Sequence, residues 1–360
     1  MTRRTPFRQR VSSQPHPRHL LLHRGSWTLR IERRAFLAAS VITIATCVIA
    51  IIALMLGDYP ISVLQVIRSL LGISDDPLAQ FFVRDLRAPR VVMAMLVGAA
   101  LGVSGAIFQA LTANPLGSPD ITGFTVGAAT GALVQIIIFN GGPLAIGTGA
   151  MLGGFATGAA VYLLSRSNGV TGTRFVLIGI GVAAVLQGVN ALLVVRASLT
   201  AAQTAAQWLA GSFNATSWSG TITLGAVLAL LLPSSLLLSR PLGVMLTGPD
   251  LAVGLGVRVD LRRVQLIALG VALVAVTVAA AGPIAFVALA APQLARRLTQ
   301  TSGPGLGGAA LMGAFLVLTS DVISQRLFAP TQLPVGVVTG SLGGIYLIWL
   351  LSREWRKDRT

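Results

Sequence analysis

The chain has 360 residues, 54% of them hydrophobic and only 11% charged, with 27 Lys and Arg against 11 Asp and Glu and a net charge of +16. That balance excludes an ordinary soluble domain. A nucleic-acid-binding domain is excluded by the placing of the basic residues, which lie in tails and short loops.

Residues 1–34 hold nine Arg, the acid Glu32 and His16, His19 and His23 among Ser, Pro and Gln, and they read as a flexible, basic cytoplasmic tail with solvated histidines. The apolar run from Ala35 is too long for a signal-peptide core, so the chain is expected to insert by its own spans. Cys47 lies inside that run, which leaves neither a disulfide framework nor a Cys metal site. Ten spans are predicted: 35–56, 90–111, 121–139, 144–164, 175–195, 220–239, 263–281, 283–296, 305–327 and 334–351. The transmembrane domain is thus 35–352, and 353–360 is a second basic cytoplasmic tail. Basic tails at both ends require an even number of spans with both termini cytoplasmic. The alternation puts 21 of the 27 Lys and Arg inside. The six outside are Arg68, Arg84, Arg87, Arg90, Arg196 and Arg326. Three of them crowd before the second span, against the positive-inside tendency, which marks that rim for a function.

Arg87-Ala-Pro-Arg90, the Gly-rich stretch Val91–Ala113 and Asn114-Pro-Leu-Gly-Ser-Pro-Asp120 combine a charged rim, a close-packing helix and a proline-broken re-entry. This is the layout of a pathway-forming helix, with Gln109, Asn114, Pro115 and Pro119 as its candidate residues. Gly98 and Gly102, Gly154 and Gly158, and Gly336, Gly340 and Gly344 recur every four residues, a spacing that lets helices approach closely. The loop Arg240–Val257 reads as two short helices. Pro249 and Asp250 suit a helix start, and Gly254 and Gly256 its stop. Asp321 is the carboxylate placed well within a span, five residues before Arg326, and reads as a satisfied structural acid near the membrane edge.

Several chemistries are missing. The sole lysine is Lys357, in the C-terminal tail, so there is no P-loop and any ATP motor must be another chain. Both glutamates, Glu32 and Glu354, and all histidines lie outside the spans, which removes the usual members of proton relays and hydrolytic sites. A non-catalytic transport subunit is expected.

The strings Arg87-Ala-Pro-Arg90, Gly98-Ala-Ala-Leu-Gly-Val-Ser-Gly105, Gln109, Asn114–Pro119, Gly282-Pro-Ile-Ala-Phe-Val-Ala-Leu-Ala-Ala-Pro292 and Leu333-Pro-Val-Gly-Val337 resemble FecCD-type permeases of iron-siderophore and vitamin B12 importers. The match runs from about 35 to 352. Ser104-Gly-Ala-Ile-Phe-Gln109 and Leu342-Gly-Gly-Ile-Tyr-Leu-Ile348 are most similar to the ferric-enterobactin branch. The resemblance implies an all-α, ten-helix type II ABC importer permease in the cytoplasmic membrane, paired with a second permease subunit, favouring a heterodimer. It also implies two cytoplasmic ATPases and a periplasmic or lipid-anchored siderophore-binding protein. No cofactor binds the chain directly; ATP belongs to the ATPases and Fe(III) to the substrate.

By the same resemblance, Arg87 and Arg90 dock the binding protein. A third docking arginine falls near Gln325 and Arg326, where the family position is Gln325. Gly248, Pro249, Asp250, Ala252, Leu255 and Gly256 match coupling helices that enter a cleft of the ATPase. Ser167, Asn168, Gly169 and Thr171 match a cytoplasmic gate loop, although a plain turn has the same composition. The expected function is import of a ferric siderophore. Vitamin B12 or haem import is the alternative within the family, and an ion-coupled carrier the alternative outside it.

Overall fold

The computed structural model describes residues 19–24, 27–57, 59–166, 172–301 and 303–357. At the N-terminal end β1 (His19–Arg24) and β2 (Trp27–Glu32) pair antiparallel, His19 opposite Glu32 and Arg24 opposite Trp27. A hairpin therefore stands where the sequence reading expects a structureless run. Trp27, Thr28 and Ile31 are β-favouring, and the Gly25-Ser26 dipeptide that separates them from the apolar run Leu20-Leu21-Leu22 is turn-forming sequence.

Helices follow in the order α1 (Arg33–Met55), α2 (Val63–Leu71), α3 (Pro77–Phe81), α4 (Ala88–Thr112), α5 (Phe124–Ile137), α6 (Pro143–Ser165) and α7 (Gly172–Arg196). They continue with α8 (Leu199–Leu209), α9 (Trp218–Met245), α10 (Pro249–Gly254), α11 (Val259–Ala281), α12 (Val287–Thr299), α13 (Leu306–Arg326) and α14 (Val335–Lys357). A π-helical turn, Phe82–Arg87, joins α3 to α4. Every one of the ten predicted spans has its helix. Seven of the described helices are long and apolar enough to cross a membrane by themselves.

α5 and α12, with 14 and 13 residues, reach only about 20 Å at 1.5 Å per residue, short of a hydrocarbon core of about 30 Å. Each is preceded by irregular backbone, 113–123 and 282–286. Such backbone is tolerated at membrane depth only when other parts of the protein satisfy its polar groups. α2, α3 and α8 were not expected from the spans, since their Gln, Arg and Thr residues break the apolar runs that mark a crossing. The loop between α9 and α11 also differs. α9 runs on through Pro241 to Met245, so only one short helix, α10, occupies the stretch read as two.

α4 is the axis of the bundle. In the continuous helix Pro77–Thr112, 78% of the most apolar window is buried, against 11% for α7. The burial depends on glycine: a Cβ on Gly98 would overlap the Gly313 carbonyl of α13, one on Gly102 the Ala309 carbonyl, and one on Gly105 the Ala288 carbonyl of α12. Without side chains between them, backbones meet, and dispersion contacts replace the hydrophobic drive that lipid cannot supply. Polar cross-links fix the register: Ser104 Oγ donates to the Gly270 carbonyl at 2.8 Å, Gln109 Nε2 to the Leu289 carbonyl at 2.9 Å, and Thr221 Oγ1 to the Pro89 carbonyl at 3.2 Å.

Gly105→Ala should therefore lower stability by about 1–3 kcal/mol through overpacking. Gly307→Ala in α13, where an added Cβ meets nothing within 4 Å, should be neutral or raise stability by up to about 1 kcal/mol through helix propensity. Thermal unfolding in detergent micelles compares them, and equal effects would remove the close-packing account of α4.

Candidate functional site

The Arg87-Ala-Pro-Arg90 rim is built where the π-turn enters α4. Arg87 Nη1 donates to the carbonyls of Leu54 (2.8 Å) and Met55 (3.1 Å), Nη2 donates to that of Tyr59 (2.6 Å), and the guanidinium lies 5.6 Å from the Phe82 ring centre. The carbonyls of Leu54 and Met55 belong to the last turn of α1, where no intrahelical amide follows, and Arg87 takes them up together with that of Tyr59 in the loop beyond. Tyr59 in turn donates its hydroxyl to Asp76 at 2.8 Å, while Asp76 caps α3 by accepting the amides of Leu78 and Ala79. The Tyr59 hydroxyl and those amides hold the Asp76 carboxyl below the ordinary carboxylate range.

Arg90 reaches across to α13. Its Nε lies 3.2 and 3.0 Å from the two carboxylate oxygens of Asp321, and its Nη2 2.9 Å from Oδ1. The Asp321 side chain is fully buried and that of Arg90 is 14% exposed. Gln325 Nε2 donates to Asp321 Oδ2 at 2.8 Å, and Arg90 Nη1 donates to Gln332 at 3.4 Å. Asp321 is thus the satisfied structural acid its position suggested, and its cation comes from 231 residues away. The two rim arginines expected as outward arms are both half-buried with their guanidiniums engaged inside the chain. Arg326, one residue past Gln325, is half-buried at the end of α13.

At the other end of α4 the proline-broken turn is also tied down. Ala113 adopts a left-handed conformation (φ 49°) and ends the helix, and Asn114 Oδ1 accepts the Leu116 amide at 2.8 Å. Gln293 Nε2 of α12 donates to the Pro115 carbonyl at 2.8 Å, and its Oε1 accepts the Tyr346 hydroxyl of α14 at 3.3 Å. Further along the turn, Asp120 accepts Thr125 Oγ1 at 2.7 Å and the Phe286 amide at 3.2 Å. Phe286 has φ 69° and opens α12, so a carboxylate of one irregular segment fixes the break in the other.

Asn114 and Pro115 are exposed and line, with Thr112, Gly172 and Thr173, an open cavity of about 390 Å³ between the end of α4 and the start of α7. Pro119 is buried in the turn. Gln109, read as a pathway residue, is only 2% exposed and serves packing, with Oε1 left without a partner. Sequence reasoning missed Asp120 and Gln293. The signal for Asp120 was an acid at the mouth of an apolar span with no basic residue nearby in sequence; Gln293 gave none beyond its place after Pro292.

α10 projects between α9 and α11. Gly248 (φ 111°) precedes it, Asp250 sits in its first turn, and Gly256 (φ 81°) turns the chain away beyond it. Pro249 is its first residue. Ala252 is fully buried, yet Leu251, Val253 and Leu255 are 61–70% exposed. The gate residues Ser167, Asn168, Gly169 and Thr171 lie outside the described residues. Among the described residues no group of three or more His, Cys, Asp or Glu could hold a metal ion.

A rim of clamped arginines, a close-packed axis, two irregular segments locked to each other and an exposed apolar helix at one end make up the candidate site. Known proteins are similar to the chain over nearly its whole length. The chain is 46% identical over 326 residues, 90% of its length and 98% of the relative's, to the ferric enterobactin transport system permease protein FepG of Escherichia coli K12. It is 37% identical, over 93% and 97% of the two lengths, to the achromobactin transport system permease protein CbrC of Dickeya dadantii. Among solved structures, an inward-facing metal-chelate type ABC transporter superposes with a TM-score of 0.78 at 29% identity, covering 88% of this chain and 98% of that one. The pattern of the FecCD transport family matches residues 44–353, and the chain is a member of that family, a multi-pass ABC transporter permease.

Proposed function

We propose that the chain is one permease subunit of an ATP-driven importer that carries a ferric siderophore of the enterobactin type across the cytoplasmic membrane, with both termini cytoplasmic. The observation that carries this reading is the near full-length 46% identity to the ferric enterobactin permease. The absent P-loop and the lone Lys357 leave ATP hydrolysis to two separate ATPases, and Fe(III) enters as part of the substrate.

A second, homologous permease subunit covers the faces that this chain leaves open. An added Cβ at Gly181 or Gly188 of α7, or at Gly340 or Gly344 of α14, meets nothing within 4 Å, unlike the glycines of α4. α10, which exposes Leu251 and Val253 and is followed by the exposed Leu255, takes the role of coupling helix in a groove of the ATPase. When the ATPases close on ATP, α10 moves with them and the bundle shifts between two arrangements of its cavity. Ser167, Asn168, Gly169 and Thr171 take the role of the cytoplasmic gate. A periplasmic or lipid-anchored binding protein lands on the rim of Arg87, Arg90, Gln325 and Arg326. Arg87, held by neutral carbonyls, contributes a fixed positive charge there, whereas the charge of Arg90 is balanced by Asp321.

Three outcomes test this reading. Reconstituted with a second permease, the ATPases and the binding protein, the chain should take up iron-labelled enterobactin only with ATP; uptake by the chain alone would establish an ion-coupled carrier, and uptake of haem but not enterobactin would reassign the substrate. Leu251→Asp with Leu255→Asp should cut substrate-stimulated ATP hydrolysis at least tenfold while the permease still folds, and normal stimulation would remove the coupling role. Arg326→Glu should weaken association of the binding protein without loss of thermal stability. By contrast, Arg90→Ala leaves Asp321 buried and unpaired and should cost about 3–5 kcal/mol, much of it recovered by adding Asp321→Asn. A stable Arg90→Ala protein would show the pair to be dispensable.

A further inference from the structure

A cavity of about 680 Å³ opens where α1, α2, the π-turn, α4 and α9 meet, a size suited to a small-molecule ligand. Its floor is apolar, with Leu54 of α1 and Val92 and Met95 of α4. Its rim carries Arg84, Asp85 and Trp218. The place is a membrane edge, since the membrane-spanning helices α1, α4 and α9 end or begin there. Trp218, the first residue of α9, donates its indole N–H to the Arg84 carbonyl at 2.7 Å, as an interfacial aromatic with one wet and one apolar side. Beside it α2 exposes Leu64, Ile67 and Leu71, flanked by the exposed Arg68, the character of a helix lying in the headgroup boundary.

An apolar floor of this kind is a poor host for water, which needs several polar partners. A lipid chain fits it. The rim is more selective. Arg84 and Asp85 are consecutive and exposed, and neither forms an ion pair among the described residues. A planar guanidinium suits a phosphate, bidentately, and a carboxylate beside it suits an ammonium group. An anionic headgroup without an amine would set its charge against Asp85, whereas a headgroup with both charges satisfies both side chains.

We propose that this cavity binds one phosphatidylethanolamine molecule, an acyl chain lying along Leu54, Val92 and Met95, the phosphate on Arg84 and the ammonium on Asp85. The full-length chain, with the subunits that copurify, is reconstituted in proteoliposomes of equal phosphatidylethanolamine and phosphatidylglycerol. After extraction in mild detergent, native mass spectrometry counts the lipids retained on it. The wild type should keep one phosphatidylethanolamine per chain. Val92→Trp, which fills the floor, and Arg84→Ala with Asp85→Asn should each reduce that retention at least tenfold, while Arg84→Lys, which keeps the cation, should reduce it less. Retention of phosphatidylglycerol instead, no retained lipid, or equal retention in all the proteins would overturn the site. Substrate uptake by the same proteoliposomes is read separately, so a chain that transports and retains no phosphatidylethanolamine refutes the lipid site alone.

Discussion

Backbone-to-backbone contact along α4 is the constraint on which the rest of the molecule depends. In a bilayer the lipid tails compete equally for any apolar side chain, so helices gain most by fitting together where side chains are absent. Gly98, Gly102 and Gly105 face carbonyl groups of α13 and α12, and the close approach sets how far every neighbouring helix can stand from the axis. Ser104, Gln109 and Thr221 then convert that proximity into hydrogen bonds of defined register. Their acceptors are main-chain carbonyls, so the register is read from the path of the backbone.

The two irregular segments, 113–123 and 282–286, are the complement of that rigidity. Neither could lie beside lipid with its amides open, and each supplies part of the other's satisfaction through Asp120 and the Phe286 amide. Gln293 adds the link to Pro115 and, through Tyr346, to α14. A movement of α12 is therefore transmitted to the turn after α4 by side chains that hold carbonyl and amide groups directly. The exposed cavity beside Asn114 lies on the same turn, which places the locked segments next to the open space at that end.

The spans, the helical class and the glycine faces at Gly98–Gly102 and Gly154–Gly158 were legible because they rest on local composition and a spacing of four, whereas an added Cβ at Gly340 or Gly344, in the same spacing, meets nothing within 4 Å. Asp321 was read as structural from its place alone, but its partner Arg90 was not, since nothing in a sequence joins positions 231 apart. For the same reason the internal acceptors of Arg87 and Arg90, the Tyr59 carbonyl and Asp321 among them, gave no sign in the sequence. The second short helix expected before α10 failed because Pro241 reads as a stop, whereas α9 carries both Pro233 and Pro241 within it. A proline costs a helix one hydrogen bond, and nearby Ser residues and neighbouring helices offset that in a membrane protein. α8 escaped notice because its Thr and Gln residues hide a helix in a search for charge-free runs.

The π-turn at Phe82–Arg87 sets how the segment leading into the rim is oriented. A π-turn holds one residue more than the α-helical turn it replaces, and such bulges arise within α-helices as single-turn features. The helix before it and α4 after it are consequently out of phase, by about the 100° that one residue subtends. Residues 77–81 can thus be reoriented by gain or loss of a single codon at the turn without disturbing the glycine face that begins at Gly98. Arg90, on the α4 side of the turn, keeps its place against Asp321 under such a change, so that pairing stays with the axis while the segment before the turn rotates.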